Sequence, residues 1–207
     1  LHLPGASFVA PDSALRDALT DCAVRQITRL TENSGNCQPL GQMVNEKTIV
    51  NGIIALLATG GSTNLTMHMV AMARAAGIII NWDDFSELSD AVPLLCRIYP
   101  NGPADINQFQ AAGGVQLVIR ELLKKGLLHE DVNTVAGFGL ARYTQEPWLD
   151  NGKLAWREGA ETSADKQVIA SVSQPFEHHG GTKVLSGNLG RAVMKTSAVP
   201  ADNQIIE

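Results

Sequence analysis

Two short polar segments carry side chains suited to bind an anionic or polyhydroxylated ligand. The first, Gly60-Gly61-Ser62-Thr63-Asn64, stands where an amphipathic helix is predicted to begin. Backbone N–H groups at a helix start have no intrahelical partner, and the helix dipole adds partial positive charge there. Ser62, Thr63 and Asn64 would add hydroxyl and amide groups. The alternative interpretation is that Ser62 only caps the helix.

The second segment, residues 101–107, has the sequence Asn-Gly-Pro-Ala-Asp-Ile-Asn and leads into another predicted helix. Its two amides and one carboxylate could contact a substrate, with Asp105 accepting hydrogen bonds from hydroxyl groups and Asn107 beside it. Asp105 could equally be a helix cap, because Asp and Asn favour turns for local reasons.

Other chemical motifs are missing or incomplete. His178 and His179 are adjacent and the other three histidines are isolated, so their spacing predicts no metal site. The three cysteines, at positions 22, 37 and 96, are widely spaced and are predicted to be free thiols. Residues 137–142 begin like a dinucleotide-binding loop, but Arg142 replaces its third glycine, which disfavours nucleotide binding.

The composition indicates a globular protein. The chain has 207 residues, of which 44% are apolar, and a formal charge of −5. The acidic balance and the lack of a basic patch argue against nucleic acid as a partner. Its apolar stretches are too short for a membrane span, and no export signal opens the sequence, so a cytoplasmic setting is expected.

Three helices are predicted in the first third of the chain. Asp12 or Ser13 can cap a helix whose apolar residues, from Leu15 to Leu30, recur every three or four positions, so one face is expected to belong to the core. Asn45 can cap a helix over residues 46–58 that is apolar nearly all round and therefore buried. Ser62 can cap a third helix.

Short strands and helices are predicted to alternate after residue 77. A brief helix is predicted from Asp83 or Asp84, and either one helix or a broken helical pair over residues 108–125, with Gly113 and Gly114 inside it. The polar residues 150–165 are predicted to form an exposed excursion or linker. Strands are predicted at residues 78–80, 94–98, 133–136, 167–172, 183–185 and 191–196.

Three motifs in combination resemble the dihydroxy-acid and phosphogluconate dehydratase family. They are the segment Gly60-Gly61-Ser62-Thr63-Asn64, the loop at residues 99–107 and the sequence Gly-Asn-Leu-Gly-Arg-Ala at residues 187–192. The resemblance extends over essentially the whole chain. The loop at residues 101–107 favours the members that act on sugar phosphates.

The resemblance implies that water is lost from a 2,3-dihydroxy acid to give a 2-keto acid. For a sugar-phosphate member, 6-phospho-D-gluconate would become 2-keto-3-deoxy-6-phosphogluconate, in the Entner-Doudoroff pathway. The family also implies an iron–sulfur cluster, expected to be 4Fe–4S, and a divalent cation is a further candidate cofactor. The cluster motifs do not occur in this chain, so no catalytic residue or metal ligand is assigned. The candidate substrate-binding residues are Ser62, Thr63, Asn64, Asp105 and Asn107.

The same resemblance implies a helix-rich α/β first domain over residues 1–179 and the start of a swivelling, β-barrel-like second domain over residues 180–207. A homodimer is expected. The chain is expected to be an internal piece of a longer protein and inactive by itself. One alternative is a family member acting on branched dihydroxy acids or unphosphorylated aldonic acids. Another is a non-catalytic scaffold or binding domain.

Overall fold

A computed structural model describes residues 2–199 and contains seven α-helices and three two-stranded antiparallel sheets in that range. The helices are α1 (Ala14–Thr28), α2 (Leu40–Met43), α3 (Glu46–Thr59), α4 (Thr63–Ala75), α5 (Trp82–Ala91), α6 (Ile106–Ala112) and α7 (Gly114–Lys124). The strands are β1 (Asn133–Thr134), β2 (Gly137–Phe138), β3 (Gln145–Asp150), β4 (Lys153–Glu158), β5 (Lys183–Gly187) and β6 (Gly190–Met194). This mixture of helix and strand confirms the coarse fold class. The predicted domain boundary at residue 180 stays a prediction.

Helix α3 is the centre of the core, as its apolar composition predicts. Asn45 caps it in a capping box with Thr48, and each residue satisfies a backbone N–H of the other. Ile53 and Leu57 on this helix are completely buried. Apolar residues from α4, α5, α6, α7 and the extended segments around residues 92–96 and 168–169 complete the cluster. Within residues 2–199, no helix combines the length and the apolar composition that a membrane crossing requires.

The predicted caps of α1 and α4 are confirmed, and the predicted start of α5 is corrected. Ser13 caps α1 and Ser62 caps α4 through their side-chain oxygens. For α5 the cap is Asn81 instead of Asp83 or Asp84, because Asn81 forms a capping box with Asp84. The broken helical pair is also confirmed, since α6 and α7 meet at Gly113.

Helix α1 contributes less to the core than its periodicity predicts. Leu19 is its only buried residue, whereas Val24 and Ile27 are exposed. The helix packs mainly on β3 and β4, which cover only part of its apolar stripe. Of the six apolar positions predicted to face the core, Leu19 is buried, Ile27 is exposed and the other four are half-buried, so the expectation is met in part.

Several predicted strands are wrong or shorter than predicted. Residues 78–80 form no strand, and β1 covers only the first half of residues 133–136. Residues 94–98 and 167–172 are joined by one isolated bridge, Cys96 to Ile169, because their backbone bonds go to several different partners. The polar residues 150–165 are not simply an excursion, since β4 pairs there with β3 across the turn at Asn151 and Gly152. The last two predicted strands are confirmed as β5 and β6, which pair with each other as a hairpin.

Candidate functional site

The end of α3 is joined to the loop at residue 101 by a side chain that bonds to the main chain. Asn101 donates from Nδ2 to the carbonyl oxygens of Thr59, at 3.2 Å, and Gly60, at 2.7 Å. Gly60 has the left-handed φ of 60°, and a Cβ added there would lie 2.1 Å from Asn101 Nδ2. Glycine is therefore required at position 60 both for its backbone conformation and for the close approach of the amide.

The junction also includes residues that come much later in the chain. Ser197 Oγ lies 3.0 Å from both Asn101 Oδ1 and the carbonyl oxygen of Gly181, so its hydroxyl can donate to either. A Cβ on Gly181 would lie 2.8 Å from the Cα of Gly60. We call Gly60, Asn101, Gly181 and Ser197 the junction; it holds three distant parts of the chain together.

The structure places Ser62, Thr63 and Asn64 at the first turn of α4. Ser62 Oγ accepts a hydrogen bond from the Asn64 backbone N–H at 3.2 Å, so the capping alternative is realised. The side chains of Ser62 and Asn64 are exposed and Thr63 is half-buried. Contact between these three residues and a substrate stays a prediction.

Asp105 is the N-cap of α6, with both of its capping bonds formed. Its Oδ1 accepts from the backbone N–H groups of Asn107 and Gln108, each at 2.8 Å, and Gln108 Oε1 accepts from the Asp105 N–H at 2.8 Å. Asp105 and Asn107 are exposed. Capping of α6 is sufficient to explain why an aspartate stands at position 105. The role of Asp105 as a substrate ligand stays a prediction.

A cavity of about 630 Å³ opens beside the junction. That volume is in the range of small-molecule sites in proteins. Asn101, Gly181 and Ser197 of the junction are in its wall, whereas none of the five predicted substrate-binding residues is. The other wall residues are Leu94, Arg97, Pro100, Gly102, Pro103, Glu177, His179, Gly180, Lys183, Thr196, Ala198 and Val199.

The charged groups of the cavity wall differ in how they are paired. Lys183 forms an ion pair with Asp90, and His179 Nδ1 lies 3.9 Å from Asp90 Oδ1. The hydrogen bond and the charge of Lys183 lower the pKa of the Asp90 carboxyl below its ordinary value. Arg97 and Glu177 form no ion pair with any described residue. The charge of Lys183 is thus balanced locally, and that of Arg97 is not balanced by any residue between positions 2 and 199.

Two parts of the Arg97 side chain, its guanidinium group and its Cβ, make close contacts with neighbouring residues. Its guanidinium carbon lies 4.3 Å from the centroid of the Phe176 ring, a stacking contact that favours a cation. The backbone of Gly102 packs against the start of the Arg97 side chain, since a Cβ on Gly102 would lie 2.7 Å from the Arg97 Cβ. The stacking contact orients the guanidinium, although Arg97 as a whole is exposed.

Comparison with known proteins identifies the family. Residues 1–143 match the family described as dihydroxy-acid/6-phosphogluconate dehydratase N-terminal. The chain belongs to this dehydratase family. The predicted resemblance is confirmed.

The relatives of this dehydratase-family chain extend over its full length. Over all 207 residues it is 75% identical to the phosphogluconate dehydratase of Escherichia coli K12 and 59% identical to that of Pseudomonas aeruginosa. A dihydroxy-acid dehydratase of Caldanaerobacter subterraneus is 34% identical over 96% of the chain. The chain covers 34%, 34% and 33% of these three proteins, so it spans about a third of the length of the curated relatives it matches.

Sequence reasoning did not identify the cavity of this family member. Arg97, His179 and Lys183 are separated by up to 86 positions in the sequence, counted from 97 to 183, and no local motif links them. One signal was available, because the pair Gly180-Gly181 marks a close approach of backbones.

The described residues of this family member do not fit an iron–sulfur cluster or another bound metal. No group of three or more His, Cys, Asp or Glu side chains within residues 2–199 is arranged to hold an ion. Cys22 is half-buried, Cys37 is exposed and Cys96 is buried, and all three are free thiols as predicted. We therefore assign no metal ligand in this part of the chain.

Proposed function

We propose that this chain is part of a hydro-lyase that dehydrates 6-phospho-D-gluconate to 2-keto-3-deoxy-6-phosphogluconate in the Entner-Doudoroff pathway. The observation that supports this most strongly is the 75% identity over the whole chain to a protein named phosphogluconate dehydratase. The named dihydroxy-acid dehydratase is much more distant, at 34% identity.

The proposed reaction removes one proton from C2 and the hydroxyl group from C3, which together leave as water. The resulting enol takes a proton from solvent at C3 and becomes the 2-keto acid. The groups that perform these steps are proposed to lie outside this chain, together with a 4Fe–4S cluster and, as a further candidate, a divalent cation. We derive no step through either of them from the described residues.

In this proposal, the residues of the chain bind and orient the substrate. Ser62, Thr63 and Asn64 offer a hydroxyl and amide surface at the start of α4, and Asp105 and Asn107 offer a second one at the start of α6. Such groups suit a ligand with several hydroxyl groups, because each can donate or accept a hydrogen bond. The Asn101 bonds to Thr59 and Gly60 tie the loop before α6 to the end of α3, just before α4.

The larger assembly is also part of the proposal. The hairpin of β5 and β6 would begin a swivelling, β-barrel-like second domain, and the complete protein would be a cytoplasmic homodimer. The hairpin is packed on α5 and bonded to it through Arg191 and Asp83. The alternative function is a dehydratase of branched 2,3-dihydroxy acids, which the 34% identical relative favours.

The experiment that tests this function uses the full-length protein, purified without oxygen, with 6-phosphogluconate in deuterated water. The product is expected to be a 2-keto acid that carries one deuterium at C3, because the enol takes that proton from solvent. Loss of phosphate without a keto acid, or no reaction by protein with its full iron content, would refute the proposal.

The residue assignments are tested with alanine at Asn64 and at Asp105. Each change is expected to raise KM or lower kcat for 6-phosphogluconate, by about 2- to 13-fold for the neutral amide of Asn64 and by about 10-fold or more for the charged carboxylate of Asp105, in line with the usual contribution of such hydrogen bonds. The matched control is Asn188→Ala, at the tip of the β5–β6 hairpin. Unchanged kinetic parameters in a folded Asn64→Ala or Asp105→Ala protein would remove that residue from the site.

A further inference from the structure

We propose that Arg97 binds the phosphate group of the substrate in the cavity beside the junction, with Lys183 as a second, weaker contact. The inference rests on the proposed function, which supplies a phosphorylated substrate. The site itself follows from the arrangement of charges in the cavity wall.

Arg97 is the group that makes this cavity suitable for an anion. Arg97 lines the cavity, and its guanidinium is stacked on Phe176 and forms no ion pair with a described carboxylate. A guanidinium stays charged at all relevant pH values and presents a planar set of donors that matches two phosphate oxygens. Its stacking on Phe176 favours one orientation of the guanidinium, which lowers the entropy cost of binding.

Lys183 adds a second positive charge, but Asp90 already balances it. We therefore assign the main contact to Arg97 and expect Lys183 to contribute through its field. Among the wall residues, Arg97 and Lys183 stand against Glu177, and His179 adds positive charge only when it is protonated. With the charge of Lys183 balanced by Asp90, the charges of Arg97 and Glu177 cancel, so the wall carries no net negative charge in a chain whose formal charge is −5.

The volume and the polar groups of the cavity also suit this ligand. At about 630 Å³ the cavity can hold a phosphate group and part of a six-carbon chain. Asn101 and Ser197 lie in the same wall and could bond to hydroxyl groups near the phosphate. Glu177 is the one carboxylate in the wall, and it should oppose a dianion.

The test compares Arg97→Gln with Arg157→Gln in the full-length protein. Arg157 is a matched control, because its guanidinium also lies over an aromatic ring, that of Trp148 at 5.2 Å, but it pairs with Glu146 outside the cavity wall. Arg97→Gln is expected to raise KM for 6-phosphogluconate and the Kd for inorganic phosphate by about 10- to 100-fold, as for a lost charged hydrogen bond. Arg157→Gln should change neither.

Two further variants distinguish a loss of phosphate binding from a general loss of folding. Arg97→Lys retains the charge and most of the stem, so it should bind inorganic phosphate better than Arg97→Gln but less tightly than the parent. Glu177→Gln should bind phosphate more tightly than the parent, which a general loss of folding cannot produce. Calorimetric titration with inorganic phosphate measures both without turnover.

The failures of the two proposals can be told apart. If the parent protein dehydrates 6-phosphogluconate and Arg97→Gln has the same KM and the same phosphate affinity as Arg157→Gln, the inference about Arg97 is wrong and the function stands. If the parent does not dehydrate 6-phosphogluconate but binds inorganic phosphate in a way that requires Arg97, the anion site is supported and the proposed substrate is wrong.

Discussion

Replacing Asn101 by alanine should loosen the junction without disturbing the core. The side chain donates two hydrogen bonds from Nδ2, to the carbonyl oxygens of Thr59 and Gly60, and its Oδ1 is a possible acceptor for the Ser197 hydroxyl. Alanine removes all three interactions. The Ser197 hydroxyl can still donate to the carbonyl oxygen of Gly181, so only the two Nδ2 bonds are lost outright.

The size of the effect follows from these two bonds. A typical hydrogen bond contributes about 0.5–1.5 kcal/mol net, and a buried group left without a partner costs about 1–3 kcal/mol. Gly60 is buried, so its carbonyl group loses its partner in a place with little access to water. We therefore expect the variant to lower the free energy of local opening by about 1–3 kcal/mol, which corresponds to roughly 5- to 150-fold.

Amide hydrogen exchange in the full-length protein measures this directly. The N–H of Gly181 donates to Leu57 and that of Ser197 donates to Gly181, so both amides report on opening of the junction. Their exchange should accelerate by the stated factor in Asn101→Ala. Asn107→Ala is the matched control, since its exposed side chain makes no hydrogen bond with a described residue. Equal exchange rates in the two variants would refute the reasoning.

Three other predictions follow from burial and charge. A maleimide at neutral pH should label the exposed Cys37 rapidly and Cys96 only after unfolding, because burial raises the pKa of Cys96 to about 12. If mass spectrometry finds both cysteines labelled equally fast, this prediction is wrong. Lys183 lowers the pKa of the Asp90 carboxyl below its ordinary 3.8, so this carboxyl is protonated less readily in the folded than in the unfolded state. The stability that results is present above pH 3.8 and is lost as the pH falls below that value. Asp90→Asn should therefore flatten the dependence of urea unfolding on pH between about 5 and 3, and an unchanged slope would count against the ion pair. Leu57→Ala should lower the free energy of unfolding by about 2–5 kcal/mol, because Leu57 is fully buried. Leu189→Ala, at an exposed turn, should change the free energy of unfolding by less than about 0.5 kcal/mol. Equal changes in the two variants would contradict the place of Leu57 in the core.

The helices around the site could be predicted because their signals are local. Asn45 and Ser62 each stand directly before an apolar periodic segment, and each caps the helix that follows. Gly60 lies at the end of α3, where a left-handed residue is favoured. The β5–β6 hairpin was predictable for the same reason, since glycines bound its turn.

The errors come from partners that the sequence does not reveal. The β-branched residues 78–80 predict a strand, but Ile78 closes the end of α4 by donating to the Ala73 carbonyl, and no strand in the described part of the chain pairs with them. The hairpin of β3 and β4 was missed although Asn151-Gly152 is a strong signal for a two-residue turn. That signal was outweighed by the polar composition around it.

The site was predictable only in part, because its walls come from distant segments. The loop at residue 101 could be singled out from its amides and prolines. Its bonds to Gly60 and Ser197 depend on tertiary packing, and so does the position of Arg97 over Phe176. A lone arginine in a sequence carries no sign of the cavity it will border.

We propose that the complete protein is an enzyme specific for a phosphorylated sugar acid. The most direct measurement is oxygen-free release of 2-keto acid by the full-length protein, offered 6-phosphogluconate, gluconate and a branched 2,3-dihydroxy acid in parallel. We predict that kcat/KM for 6-phosphogluconate exceeds that for either other substrate by about 100-fold or more, as expected when a charged group of the substrate is bound. Equal or better turnover of gluconate or of the branched acid would contradict the account.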